Sequence, residues 1–265
     1  DGVALTKFLF WLKKNFRNKK ITEIYAQQKL ESFRRMNKSY KYPSFSTISG
    51  AGSNSAIIHY KASAKSNRAL KKGDLYLVDS GGQYSFGTTD VTRTLSLDNN
   101  SRFIKDIYTR VLKGHIAVSN YRIKKNSKGS DVDRSARKSL KEIKLDYPHG
   151  TGHGVGYFLN VHEGPQSFSK NNRVNLRNGM IISNEPGYYR KGHFGIRIEN
   201  LIYIKQNKFE ELTMAPIEKN LINKKILNKK EINWINKYHH KVKKKLFKFM
   251  KSEEKANLID ACSPI

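Results

Sequence analysis

Four carboxylates lie at the ends of apolar strand-like runs, in a chain of 265 residues that holds only 22 Asp and Glu against 51 Lys and Arg. Asp79 ends Leu75-Tyr76-Leu77-Val78-Asp79, which is apolar on both faces and reads as a central strand. Asp90 begins the next stretch, Thr89 to Leu97, across a Gly-containing connection; its β-branched residues predict a partner strand. Paired as a hairpin, the two strands set these carboxylates face to face. Unpaired, the two acids would repel each other and raise one pKa unless cations held them together. Glu185 follows an apolar strand in Ser183-Asn184-Glu185-Pro186-Gly187. There Pro186 forces Glu185 out of the helical region and Gly187 lets the chain turn away. Glu199 belongs to Gly195-Ile196-Arg197-Ile198-Glu199-Asn200, where Arg197 and Glu199 share one strand face.

Taken singly, a strand-end Asp is usually a turn or cap residue, and an Arg-x-Glu pair is usually a salt bridge. Jointly, four acids emerging at strand termini mark a place where sites form. Histidine adds a nitrogen donor. His149 and His153 lie in Tyr147-Pro148-His149-Gly150-Thr151-Gly152-His153-Gly154-Val155-Gly156, whose glycines exclude the helical His-x3-His arrangement of zincins. His162 follows in Val161-His162-Glu163-Gly164, and His59 ends an earlier β-like piece. Four carboxylates and one imidazole form a hard, oxygen-rich set that would neutralise two divalent ions. Such a set suits Mn²⁺, with Co²⁺, Fe²⁺ or Zn²⁺ open by affinity alone. Paired ions about 3.5–4 Å apart activate water and polarise carbonyls, so hydrolysis is the natural chemistry.

The elements that must position these groups read as a mixed α+β chain. Helices are expected over Gly2 to Lys14, from Thr22, over about Ile104 to Tyr121, and from Ser130, where Ser130-Asp131-Val132-Asp133 resembles a capping box. Between the second and third helices, Ser44 to Lys61 carries two short β-like pieces separated by a Gly/Ser cluster. Later strands are expected near Met180 to Asn184 and Phe194 to Ile204. In the last stretch Trp234, Tyr238, Val242 and Leu246 recur at helical spacing. Helix pairs alternating with strand pairs suggest two related halves.

Bulk composition sets further bounds. With 37% hydrophobic residues the chain can bury one large core, or one core and a small appendage. Its longest purely apolar run, Phe8 to Leu12, is far short of a membrane span. The single cysteine, Cys262, excludes internal disulfides and thiolate clusters and points to a reducing, cytoplasmic setting. Because the first residue is Asp1, the chain is expected to be a fragment without its upstream part. The net charge of +29 invites a nucleic-acid reading. Its lysines, however, are spread through every polar stretch beside Asn and Ile, as A/T-rich codon usage would produce, and no nucleic-acid motif appears.

Five ordered motifs resemble those of Xaa-Pro aminopeptidases, the aminopeptidase P branch of the M24 "pita-bread" metallopeptidases. They are Leu77-Val78-Asp79-Ser80-Gly81-Gly82, Thr89-Asp90-Val91-Thr92-Arg93-Thr94, His149 through Gly156, Asn184-Glu185-Pro186-Gly187-Tyr188-Tyr189, and Gly195 through Asn200. The resemblance covers almost the whole chain. It implies a curved, mainly antiparallel sheet with helices on its outer face and pseudo-two-fold halves. It also implies a catalytic domain over 1–212 and a C-terminal helical extension over 213–265, with the family's N-terminal domains absent from this chain. By position, Asp79 would ligate one metal, His153 and Glu185 the other, and Asp90 and Glu199 both. Glu185 would steer a hydroxide bridging the metals and accept its proton. His59 and His162 would contact the scissile peptide and assist catalysis, and His149 would line the proline pocket. Arg197 and Tyr189 would support the metal site and the bound substrate.

The implied reaction removes an N-terminal residue that precedes proline, with a homodimer expected for the full-length protein and neither nucleic acid nor membrane as partner. Three alternatives share part of this pattern. A prolidase uses the same ligands on dipeptides only, but the C-terminal extension argues against it. A methionine aminopeptidase would be shorter after its last ligand and would lack the His162-Glu163-Gly164-Pro165 context. A non-catalytic pita-bread scaffold typically loses ligands, whereas all five stand here.

Overall fold

Asp79 and Glu199 lie 120 positions apart in sequence, and the fold that joins them consists of two similar layers set side by side. The computed structural model describes residues 1–158 and 160–265. Helices α1 (Gly2–Asn15) and α2 (Glu23–Arg35) come first, the latter capped by the Thr22 hydroxyl, which accepts from the Tyr25 N–H. Strands β1 (Tyr40–Pro43), β2 (Ile48–Ala51), β3 (Leu75–Ser80), β4 (Gly82–Tyr84), β5 (Gly87–Thr88) and β6 (Val91–Ser96) follow. Helices α3 (Arg102–Ser119) and α4 (Gly129–Lys141) open the second half. Its strands are β7 (Gly152–His153), β8 (Ser167–Phe168), β9 (Ile181–Asn184), β10 (Gly187–Arg190), β11 (Phe194–Arg197), β12 (Asn200–Lys205) and β13 (Lys208–Glu211). Helices α5 (Lys229–Leu246) and α6 (Ser252–Ala261) end the chain.

Every strand pairing among the described residues is antiparallel. In the first half the sheet β2-β3-β6 packs its Tyr76, Val78, Val91 and Leu95 on Leu5, Phe8, Leu12 and Leu30 of α1 and α2. In the second half β9-β12-β13 packs Ile182, Ile202 and Ile204 on Val118, Val132 and Ala136 of α3 and α4. A third core joins α3, β11, α5 and α6 through Val111, Ile196, Val242 and Leu258. Helices thus cover one side of the sheets, and the opposite sides converge on the acids. None of the described helices is long and apolar enough to cross a membrane.

Four local expectations change. The link between β3 and β6 is not a simple hairpin: β4 and β5 form their own ladder, which pairs with β1. Asp79 therefore faces Thr92, and Asp90 is its diagonal neighbour on the same face. Ile57 to Tyr60 is not a strand; a 3-10 helix over Gly52–Ala56 leads into a turn that carries His59. The expected strand over Phe194 to Ile204 breaks at Ile198-Glu199, where the Glu199 N–H leaves its own ladder to donate to the Thr92 carbonyl at 3.1 Å. Helix α4 starts at Gly129, and the Asp131 carboxylate accepts from the Lys128 N–H.

Candidate metal centre

Because side chains alternate along a strand, Asp90, Thr92 and Thr94 share one face of the β6 segment, and Asp79 meets that face from β3. The Arg197 guanidinium, at the end of β11, ties these groups together. Its Nη2 donates to Asp79 Oδ2 at 2.6 Å and its Nε to Thr92 Oγ1 at 3.1 Å. Thr92 Oγ1 donates in turn to Glu199 Oε2 at 2.7 Å. The other Asp79 oxygen, Oδ1, is buried with no hydrogen-bond partner among the described residues.

The glycine-rich segment is held from α4. Arg137 pairs with Asp133 at 2.9 Å and donates to the Tyr147 carbonyl, while the Thr151 hydroxyl donates to Asp133 Oδ1 at 2.7 Å. Gly152 crosses β9 so closely that a Cβ there would lie 1.8 Å from the Ser183 carbonyl oxygen. This contact brings His153 onto the acids. Ser183 Oγ accepts from the His153 N–H at 2.9 Å and donates to Glu185 Oε1 at 2.8 Å.

The orientation of the His153 ring carries chemical information. Nδ1 lies 2.8 Å from the Gly154 carbonyl, a contact that requires an N–H there. In the neutral ring Nε2 then turns a lone pair toward Asp90 Oδ2 and Glu185 Oε1, each 3.3 Å away. A lone pair facing two carboxylates is unfavourable without a cation between them. Donor atoms of Asp79, Asp90 and Glu199 lie within 4.8 Å of one another, as do those of His153, Glu185 and Glu199. A third set of this kind joins Asp90, His153 and His162. These hard donors, an unpartnered carboxylate oxygen and a lone pair aimed at acids fit divalent cations.

Electrostatics agree with that fit. Burial, then the charges of Asp79 and Glu185, push the Asp90 carboxyl well above its ordinary range. Burial and the charges of Asp90, Glu185 and Asp79 do the same to Glu199. Burial also raises Glu185, opposed by Arg197 and, only if its ring is protonated, by His153. Without cations the site thus favours holding protons.

A cleft of about 600 Å³ opens over these acids, lined also by His59, His149 and His162. The His162 and His153 rings lie with centroids 3.9 Å apart. His149 Nδ1 faces the Gly150 carbonyl at 2.7 Å, so its Nε2 accepts from the Tyr189 hydroxyl at 2.9 Å. Burial and then Arg197 lower His149 to about 4, which keeps it neutral at neutral pH. Tyr189 itself does not line the cleft; its hydroxyl accepts from Arg197 Nη1 at 2.6 Å and links Arg197 to His149.

The structure therefore gathers His59, Asp79, Asp90, His149, His153, His162, Glu185, Arg197 and Glu199 around one cleft, with Tyr189 behind it. Thr92 and Ser183 were not singled out in the sequence, although each orients an acid. Thr92 could have been found by strand periodicity, two residues beyond Asp90. Ser183 carries no comparable signal. The apolar wall of Phe45, Ile48, Ile58 and Val161, and Lys61 beside it, were also missed.

The fold and this site define a class. The model for metallopeptidase family M24 matches residues 1–206, and that for the C-terminal region of peptidase M24 matches residues 205–265. The chain belongs to metallopeptidase family M24, and its α+β architecture is the pita-bread fold. Among particular proteins, it is 45% identical over 263 residues to Xaa-Pro aminopeptidase 1 of Dictyostelium discoideum, covering 93% of this chain and 42% of that protein. X-prolyl aminopeptidase of Caenorhabditis elegans, described as a cytosolic enzyme with a di-nuclear active site, superposes with TM-score 0.94 at 38% identity, covering all of this chain and 46% of that one. Prolidase from Pyrococcus furiosus superposes with TM-score 0.71 at 30% identity, covering 79% of this chain and 60% of that one. The chain thus spans less than half the length of that Dictyostelium relative.

Proposed function

We propose that this chain is the catalytic part of a metal-dependent aminopeptidase that hydrolyses the bond between an N-terminal residue and a following proline. The observation that carries this reading is His153 Nε2 placed 3.3 Å from both Asp90 Oδ2 and Glu185 Oε1, within a cluster of four buried or half-buried acids whose donor atoms lie close together. Asp79, Asp90 and Glu199 would hold one divalent ion, and His153 and Glu185, with Glu199 and Asp90 shared, a second. Mn²⁺ is the ion proposed, on the hardness of the donors. When bound, the ions would lower the pKa of water and polarise the scissile carbonyl.

The remaining steps belong to the chain's own residues. Glu185 is placed to accept a proton at Oε1, where the Ser183 hydroxyl orients it. His59 and His162 line the cleft beside the acids, where an imidazole N–H can stabilise negative charge developing on the carbonyl oxygen. His149, neutral and fixed by Tyr189, offers a flat wall for the proline ring. Proline's nitrogen carries no N–H, so a site shaped to its ring can act where an ordinary peptidase fails. Arg197 orients Asp79 through its Nη2–Oδ2 hydrogen bond. Residues 213–265 are proposed as a C-terminal helical extension, the full-length protein as a homodimer, and its site of action as the cytoplasm. That placement is supported by the lone cysteine and by the C. elegans relative.

Hydrolysis of Xaa-Pro-Xaa and Xaa-Pro peptides with added Mn²⁺, before and after chelation, tests this. Tripeptide turnover that chelation abolishes is expected, with Glu199→Ala slower by at least about 10²-fold. Chelator-resistant turnover, or an unimpaired variant, would sink the two-metal reading. Turnover of dipeptides alone would make the chain a prolidase.

A further inference from the structure

The cleft is electrically lopsided. Its acids, Asp79, Asp90, Glu185 and Glu199, all lie in the cluster at its base. Besides the histidines, its cations are Arg197 and Lys61. Arg197 is committed to Asp79, Thr92 and Tyr189, whereas Lys61 is exposed and makes no hydrogen bond or ion pair among the described residues.

Lys61 also has a fixed root. Its neighbour Tyr60 is buried, with its hydroxyl donating to Glu23 Oε2 at 2.7 Å and accepting from Asn54 Nδ2 at 2.8 Å. The Tyr60 N–H donates to the Ile57 carbonyl at 3.1 Å, which closes the turn from which His59 and Lys61 both reach the cleft. A lysine stem anchored this way sweeps a limited volume, and its compact ammonium suits a single carboxylate without demanding bidentate geometry. A substrate whose free amino group is drawn to the acidic base must send its downstream end toward the rim. A volume of about 600 Å³ is within the usual range for a small ligand and takes a peptide of only a few residues.

We propose that Lys61 determines specificity by pairing with a substrate carboxylate on the C-terminal side of the proline, so that the cleft favours short peptides with a free C-terminus or an acidic side chain there. This inference rests on the aminopeptidase reading above. The pair would be solvent-exposed, so its effect is modest, about 2- to 5-fold in kcat/KM.

The test compares three substrates: an Xaa-Pro-Gly tripeptide as the free acid, the same peptide as its C-terminal amide, and an amide with Asp in place of Gly. Wild type is expected to prefer the free acid and the Asp peptide over the neutral amide through a lower KM at similar kcat. Lys61→Ala should erase that preference while leaving the neutral amide unchanged, and Lys61→Glu should reverse it. Loss confined to the free acid would assign the pairing to the terminal carboxylate; loss confined to the Asp peptide would assign it to the side chain. Equal kcat/KM ratios in wild type and Lys61→Ala overturn the proposal and leave the aminopeptidase reading intact. If wild type cleaves none of the three, that reading fails separately, and calorimetric binding of acid and amide peptides decides for Lys61. Weaker acid binding in the variant then supports the proposal, and unchanged binding overturns it.

Discussion

Thr92 and Arg93 are consecutive residues of β6, and the two sides of that strand handle buried charge in opposite ways. Arg93 points away from the cleft and is 1% exposed. Its Nε donates to the Pro216 carbonyl at 3.0 Å, its Nη1 to those of Thr92 and Glu199, and its Nη2 to Asn200 Oδ1, the Ala215 carbonyl and the Tyr238 hydroxyl. No carboxylate is among these partners, yet every nitrogen is used. Beside Thr92 the balance inverts: four acids share one guanidinium, and Asp79 Oδ1 has no hydrogen-bond partner among the described residues. At Arg93, where folding alone must hold the charge, the chain surrounds it completely. The deficit on the other side marks a place where something bound supplies the missing partners.

The largest expected effect tests that contrast directly. Arg93→Met should cost roughly 3–5 kcal/mol in urea unfolding, because several buried carbonyls and the Asn200 side chain lose their donor at once. Glu199→Gln, measured without metal, should instead raise stability by about 1 kcal/mol, because on folding at neutral pH the buried acid must either bear a crowded charge or take up a proton, and the amide does neither. Comparable destabilisation by both variants would mean that the acid cluster is as self-sufficient as the cation behind it.

A smaller effect comes from two buried histidines behind the strand, each with one ring nitrogen unpartnered among the described residues. His239 is fully buried, and its Nε2 accepts from the Ile217 N–H at 3.1 Å. Burial, then Lys219 and Arg93, lower it to about 4, and burial and Arg93 lower His115 to about 3. A depressed histidine leaves the folded state binding fewer protons than the unfolded one. The stability it permits is therefore complete above about pH 6.5 and is lost as pH falls toward 4. For His239 that loss is up to roughly 3 kcal/mol. The crowded acids act with opposite sign, since their raised values favour the folded state as pH falls. The comparison must therefore be a difference. His239→Gln keeps an acceptor for Ile217, and its metal-free stability should fall less than wild type between pH 6.5 and 4. Parallel curves would remove His239 from the account.

How much of this was legible in the sequence follows from the range of each interaction. Strand β3 could be read because six consecutive buried residues leave a local apolar signature, and Asp79 stood out against it. The acids at 90, 185 and 199 were legible for the same reason, and the motif resemblance set their order. The break at Ile198-Glu199 was not legible: residues 194–204 alternate as one strand would, and only the distant Thr92 carbonyl draws the Glu199 N–H aside. His59 was misplaced on a strand because apolar Ile57 and Ile58 precede it, although the 3-10 helix over Gly52–Ala56 sets the local path. Arg93 looked like one of 51 dispersed cations, since its acceptors are backbone carbonyls that no side-chain pattern announces.

Thr92 gives the smallest and most discriminating test of the front of the strand. Its hydroxyl both accepts from Arg197 Nε and donates to Glu199 Oε2, so one oxygen sets the distance between a guanidinium that holds Asp79 and an acid shared by both donor sets. Thr92→Val preserves the branched shape that β6 favours and deletes only that oxygen. If the network acts as a unit, Mn²⁺ binding measured by calorimetry should weaken about 10-fold, at the low end for lost partners of metal-binding side chains. Thr92→Ser should restore it, since serine returns the hydroxyl without the methyl group. A merely structural role would lower thermal stability in both variants while leaving the Mn²⁺ titration of Thr92→Val like that of wild type. Arg197 and Glu199 would then be held independently, and the acids would need no alignment beyond what the sheet register already provides.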